Sequence, residues 1–381
     1  MKSAILVFCC FFYLSAMAQP FQVGRRSVAF IDVSRANRSV TTELFYPAAA
    51  AGSNVPLVPG SLKFPVVIFG HGFVIAYSAY TWLADSLVKN GYIVAMPTTE
   101  GSFSPSHEQF GRDLGFLCSY LLSLNDSAGS FLFNRVVKRS AVGGHSMGGG
   151  ASFLSTNYNS NINAIFNFAA AETNPSAKAA ATLTQMPALV FSGSSDCIVP
   201  DSNQLSMYNN VAYTCKSFVN INNALHCQFA NNDATCATGQ FLSGCNSSSI
   251  TASVVFQKTS FLLIPFFDYY LKDSCSSKNI FDNRINSMTG IALQRICSGD
   301  PFICASATTF IFTGIGDWTV ASNWANNLVP PSLLPAGSEI IINPSGNNSC
   351  ILNQVQNIAT GAKLTIITGK KFLVQGNLII Q

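Results

Sequence analysis

The chain has 381 residues, 48% of them hydrophobic and only 10% charged, with a formal net charge of +4. That length suits one large domain plus a smaller one, and the charged fraction is well below the roughly 25% usual in soluble proteins. Lys and Arg form no run, which removes the electrostatic footprint of a nucleic-acid binder, so no nucleic-acid partner is expected.

Lys2, the apolar run Ala4 to Leu14 and the A-x-A site Ala16-Met17-Ala18 read as an export signal over residues 1–18, with Gln19 as the mature start. The apolar run is shorter than the ~20 residues of a spanning helix, so no stable membrane span is expected. Phe8 before Cys9 argues against a lipid-anchored cysteine. The chain is therefore expected to be secreted or held at the cell surface.

From 19 to 297 strand-like and helix-like segments alternate. Phe64 to Phe69 is an apolar run of the kind that forms a strand buried on both faces. Residues 77–90 carry Leu83, Leu87 and Val88 at helical spacing, and Gly91 is a natural helix stop. Tyr92 to Met96 reads as a strand, 106–123 as a helix, Ser140 to Gly143 as a strand, and Gly148 onward as a helix. Ile162 to Phe168 and Ala188 to Phe191 read as strands, 203–212 as a helix, Phe218 to Ile221 as a strand and Thr259 to Leu271 as a closing helix. This order predicts an α/β fold, a doubly wound, mostly parallel sheet with helices on both faces. Residues 298–309, opening Ser-Gly-Asp-Pro, read as a linker. Residues 310–381 carry short β-rich runs at Ile340 to Ile342, Leu364 to Ile367, Phe372 to Val374 and Leu378 to Ile380, punctuated by Gly369, Gly376 and Asn377, and are expected to form a small all-β domain.

Of twelve cysteines, two lie in the export segment, leaving ten; an even number in an exported chain predicts disulfides. Cys236 with Cys245 and Cys275 with Cys297 are the expected local pairs. With no CxxC pair and four histidines in all, no metal is expected.

Four positions carry the chemistry. Gly144-His145-Ser146-Met147-Gly148 matches G-x-S-x-G between a strand and a helix, the setting of a nucleophile elbow. His226 is the only histidine after Ser146 and is the expected general base, since a serine hydroxyl needs one. Asp196, ending FSGSSD, is the expected acid that orients it; Asp201 and Glu172 compete for that role. The amides of Met147, just after the nucleophile, and of Phe73, in Gly70-His71-Gly72-Phe73, are the expected oxyanion hole. His71 and His145 are expected to shape loops, and His107 to be solvated. The reaction implied is two-step acyl transfer. A peptidase or acyltransferase on the same residues, and an adhesion protein with a degenerate hydrolase domain, are the rival readings.

HGF after the first central strand, GHSMGGG, GSSDCIVP followed by ALHC, and the opening RSVAFIDVSRANRSVTTELFYP resemble the dienelactone-hydrolase and cutinase-like polyesterase branch of the α/β hydrolases, from about residue 24 to 297. The resemblance implies carboxylic-ester hydrolysis with no cofactor and no large lid, with Phe73 and Met147 flanking the acyl site; the Ser/Thr/Asn-rich loops at 98–107 and 155–161 suit an open, shallow cleft, so the expected partner is an ester substrate of bulky, polymeric or lipid kind. Dienelactone hydrolases proper carry a cysteine nucleophile; Ser146 favours the esterase, lipase or polyesterase side. In the tail, DWTVASNWANNLVPP and KLTIITGKKFLVQGNLII resemble β-rich modules of secreted Bacteroidetes-type proteins. Trp318 and Trp324 there suit either a small β-core or contact with a polysaccharide or another surface through 310–381.

Overall fold

A computed structural model describes residues 21–231, 233–245, 247–300, 302, 309–335 and 337–380. The expected export signal and most of the expected linker lie outside the described residues.

The chain opens with a long antiparallel hairpin, β1 (Gln22–Asp32) and β2 (Arg38–Ala48), followed by the short β3 (Gly52–Ser53). Six parallel strands then form the centre: β4 (Phe64–Gly70), β5 (Ile93–Pro97), β6 (Val136–His145), β7 (Ala164–Phe168), β8 (Ala188–Gly193) and β9 (Cys215–Ile221). A last strand, β10 (Ile291–Cys297), pairs antiparallel with β9. The sheet order is β10-β9-β8-β7-β6-β4-β5-β2-β1-β3. The central strands are apolar throughout because both faces are covered, and successive side chains go to opposite cores. Val67 and Phe69 join one core with Phe166, Phe168, Leu189 and Phe191; Val66 and Ile68 join the other with Val142, Ile165 and Val190.

Helices α1 (Thr81–Lys89), α7 (Ala252–Lys272) and α8 (Cys275–Ser287) seal the first core through Leu83, Leu87, Leu262, Phe266 and Phe281. Helices α2 (His107–Ser123), α3 (Met147–Ser155), α4 (Ala177–Ala181) and α5 (Asp201–Asn210) seal the second through Phe110, Leu114, Leu154, Ala180 and Met207. Helix α6 (Ala234–Leu242) follows the loop after β9. This two-sided layering around a mostly parallel sheet is the α/β-hydrolase fold, as the alternation of segments predicts.

The tail is all-β and parallel. Among the described residues nine short strands, β11 (Thr309–Phe312), β12 (Gly316–Asp317), β13 (Leu333–Leu334), β14 (Glu339–Ile342), β15 (Ser349–Leu352), β16 (Val355–Ile358), β17 (Lys363–Ile366), β18 (Lys371–Val374) and β19 (Asn377–Ile380), make three three-stranded sheets. Each strand pairs in parallel with the strand three places on, so the chain winds in successive coils. Trp318 and Trp324 are buried in this core with Phe312, Ile342 and Leu352, and Trp324 Nε1 donates to the Trp318 carbonyl at 2.7 Å. Side chains sealed in this way offer no ring face to a sugar, which removes that use of the two tryptophans.

The disulfides differ from the expected local pairs. Cys197 bonds Cys245, Cys215 bonds Cys297, and Cys227 bonds Cys236; Cys275 is also disulfide-bonded. Cys215 and Cys297 face one another across β9 and β10, a partnership that register dictates and linear spacing does not reveal. Cys118 and Cys350 are buried free thiols.

Candidate active site

β6 ends at His145 and α3 begins at Met147, leaving Ser146 as the whole turn, at φ 54° and ψ −120°. A positive φ is uncommon for a side-chain-bearing residue, and here it is held by three backbone bonds. The Ser146 amide donates to the Phe168 carbonyl at 3.0 Å, and its carbonyl accepts from Gly150 at 3.1 Å and Ala171 at 2.9 Å. The flanking glycines are required sterically. A Cβ on Gly148 would overlap the Gly70 carbonyl, and one on Gly144 would overlap the Gly148 backbone. The first amides of α3 have no partner within the helix and point their partial positive charge at this turn.

His226 starts a single 3-10 turn (His226–Phe229) within the loop after β9 and is 2% exposed. Its Nδ1 lies 2.7 Å from Asp196 Oδ2, while Asp196 Oδ1 accepts from the Ile198 amide at 2.9 Å and the Val199 amide at 2.8 Å. Of the three candidate acids, Asp196 is the one brought to His226. Asp201 Oδ2 accepts from Asn220, and Glu172 Oε2 accepts from the Lys178 amide. Ser146 Oγ and His226 Nε2 make no hydrogen bond among the described residues. Nucleophile–base bonds in free enzymes are often long and close in the substrate complex. The nearness of the two loops is visible one residue away: the rings of His145 and His226 are 4.6 Å apart between centroids.

Phe73 sits in the loop after β4, 46% exposed, with its ring edge-to-face against Phe103 at 6.3 Å. Neither the Phe73 amide nor the Met147 amide is engaged by another described residue. His71 is buried between the Gly72 and Thr99 carbonyls, and His145 between Tyr80 and the His226 carbonyl, so both shape loops as expected. His107, expected to be solvated, is part-exposed at the start of α2, where it also accepts from the Asn174 amide at 3.1 Å.

Two features escaped the sequence reading. Tyr80, whose hydroxyl contacts both Gly72 and His145, carries no motif. The disulfides at Cys197 and Cys227 each directly follow a candidate residue, and that adjacency to Asp196 and His226 was available as a signal.

The fold and the elbow define an α/β hydrolase. The family model described as PET hydrolase-like matches residues 13–243, more than half of the chain, and the chain belongs to that family. It is also similar to cutinase est1 of Thermobifida alba, 27% identical over 158 residues that make up 41% of this chain and 51% of the relative. The chain thus spans about half the length of that curated relative.

Proposed function

We propose that this chain is an exported serine carboxylic-ester hydrolase that works through an acyl-enzyme on Ser146. The observation that carries the reading is the buried 2.7 Å pairing of His226 Nδ1 with Asp196, with the His226 ring 4.6 Å from that of His145, the residue before Ser146. With Nδ1 engaged, Nε2 is the nitrogen left to take the Ser146 proton as Oγ attacks the ester carbonyl. The Phe73 and Met147 amides receive the oxyanion. His226 then returns the proton to the leaving alcohol, and a water activated by the same ring releases the acid. Membership of a PET hydrolase-like family and likeness to a cutinase favour bulky or polymeric esters, and the exposed Phe73 and Phe103 rings suit a broad apolar substrate. Export rests on residues 1–18 and on the disulfides, which persist in oxidising compartments.

The test pairs a p-nitrophenyl butyrate assay with fluorophosphonate labelling. Wild-type protein is expected to hydrolyse the ester and to label at Ser146, with a peptide amide left intact, and Ser146→Ala to lose both ester hydrolysis and labelling. An inert wild-type serine would return the chain to the adhesion reading, and preferential amide cleavage would return it to the peptidase reading.

A further inference from the structure

Three hydrogen bonds run in series beneath the site. The Gly72 amide donates to Tyr80 Oη at 3.0 Å; Tyr80 Oη lies 2.9 Å from His145 Nδ1; His145 Nε2 lies 3.1 Å from the His226 carbonyl oxygen. Tyr80 and His145 are fully buried.

Chemistry fixes the direction of the chain. An amide can only donate, so the Tyr80 oxygen accepts from Gly72 and its one proton is left for His145. Nδ1 therefore accepts, the ring proton resides on Nε2, and Nε2 donates to the His226 carbonyl. Such a chain needs a neutral imidazole. Burial, with His226 close by, holds His145 well below the usual histidine pKa, so the ring is neutral at pH 7. Each polar atom in the line has its partner, and no alternative orientation satisfies all of them.

The ends of the line matter more than its members. Gly72 precedes Phe73, whose amide is the expected oxyanion donor; His145 precedes Ser146; the last acceptor is the backbone of the base itself. A Cβ on Gly72 would lie 3.2 Å from both Tyr80 Oη and His145 Nδ1, so the oxyanion loop rests directly on the two side chains. We propose that Tyr80 and His145 are positioning residues, a buried strut that sets the spacing of the Phe73 amide, Ser146 and His226 during acyl transfer. The proposal rests on the hydrolase reading above. Packing alone does not require the hydroxyl, because the Tyr80 ring is already seated on Phe69 at 4.9 Å.

Tyr80→Phe removes the hydroxyl and keeps the ring. Misplacement of reacting groups by an ångström costs up to ~10²-fold, so kcat for p-nitrophenyl butyrate, read well below each protein's Tm, is expected to fall roughly 10- to 100-fold, KM to stay within about threefold, and the rate of fluorophosphonate labelling to fall with kcat. His145→Gln, which keeps one donor and one acceptor, is expected to retain more kcat than His145→Leu, and this pair gives the same readout if Tyr80→Phe does not fold. Wild-type kcat in Tyr80→Phe with only a lowered Tm, or equal kcat in the two His145 variants, would overturn the strut. Failure of the hydrolase reading is seen separately, in the wild-type assay before any variant is compared.

Discussion

The two oxygens of Asp196 have separate tasks. Oδ1 takes the Ile198 and Val199 amides and fixes the loop, while Oδ2 faces His226 Nδ1. Asp196→Asn keeps the first and spoils the second, because an amide hydrogen would face Nδ1 and favour the wrong tautomer. Turnover is expected to fall by ~10⁴ with little change in the far-ultraviolet circular dichroism spectrum. Asp201→Asn and Glu172→Gln should stay within a few-fold of wild type, since their oxygens are committed elsewhere. His145 sets a pH dependence of stability. Its folded pKa is depressed by burial and by His226, whereas the unfolded chain titrates near the ordinary 6.5. Below that pH the unfolded state takes a proton that the folded state refuses. The His145 contribution is therefore present above about pH 6.5 and is lost as pH falls, by at most ~1.4 kcal/mol per pH unit. Urea unfolding at pH 7.5 and pH 5 should show a smaller difference in His145→Gln than in wild type. Ser146, His226 and Asp196 could be put forward as candidates because the chemistry proposed for them demands fixed types in a fixed order around strand ends. Tyr80 was not, since a bond between residues 80 and 145 leaves no mark on local sequence.

Among the elements, the parallel strands were the easiest to read. Sealed on both faces, they appear as short apolar runs such as PVVIF at 65–69, and the helices between them keep an apolar stripe. The edges were harder. β10 (IALQRIC) alternates between half-buried and exposed positions and carries Gln294 and Arg295, a pattern dominated by solvent. Helix α8 buries only Ser277, Phe281 and Ile285 from its length, too thin a stripe to stand out. Disulfide pairing was illegible for a related reason: Cys215 and Cys297 are separated by 82 residues and meet only after β10 docks on β9. Replacing both with serine should lower the unfolding free energy by about 2–4 kcal/mol, measured in denaturant, while leaving kcat close to wild type because the pair lies in the strands and away from the site loops. Replacing Cys227 and Cys236 together should lower kcat as well, since that bond closes the loop on which His226 sits.

At the scale of the whole molecule, the β-rich tail holds its own core, separate from the two that flank the large sheet. The start of the expected linker is anchored to the α/β part. Asp300 accepts from the Tyr213 hydroxyl at 2.9 Å and the Tyr270 hydroxyl at 2.7 Å, and the Phe302 ring packs edge-on against Tyr269 and Tyr270. A truncation that keeps residues through Phe302 is expected to retain wild-type kcat on soluble p-nitrophenyl esters. The same truncation made before Asp300 should lose Tm, which differential scanning calorimetry would register.

Helix α7 sets a limit on how this protein can be divided. It starts beyond residue 243, where the family match ends, yet Phe267 meets Phe166 and Tyr92 on the face of the sheet that it covers, and Leu262, Leu263 and Phe266 close the same core. Each such side chain contributes about 1.5–3 kcal/mol when buried. Expression of the matched span alone would present bacteria with a half-roofed sheet: a row of phenylalanines open to water and β9 left as a bare, sticky border. The product to expect is inclusion bodies, however complete its Ser, Asp and His complement.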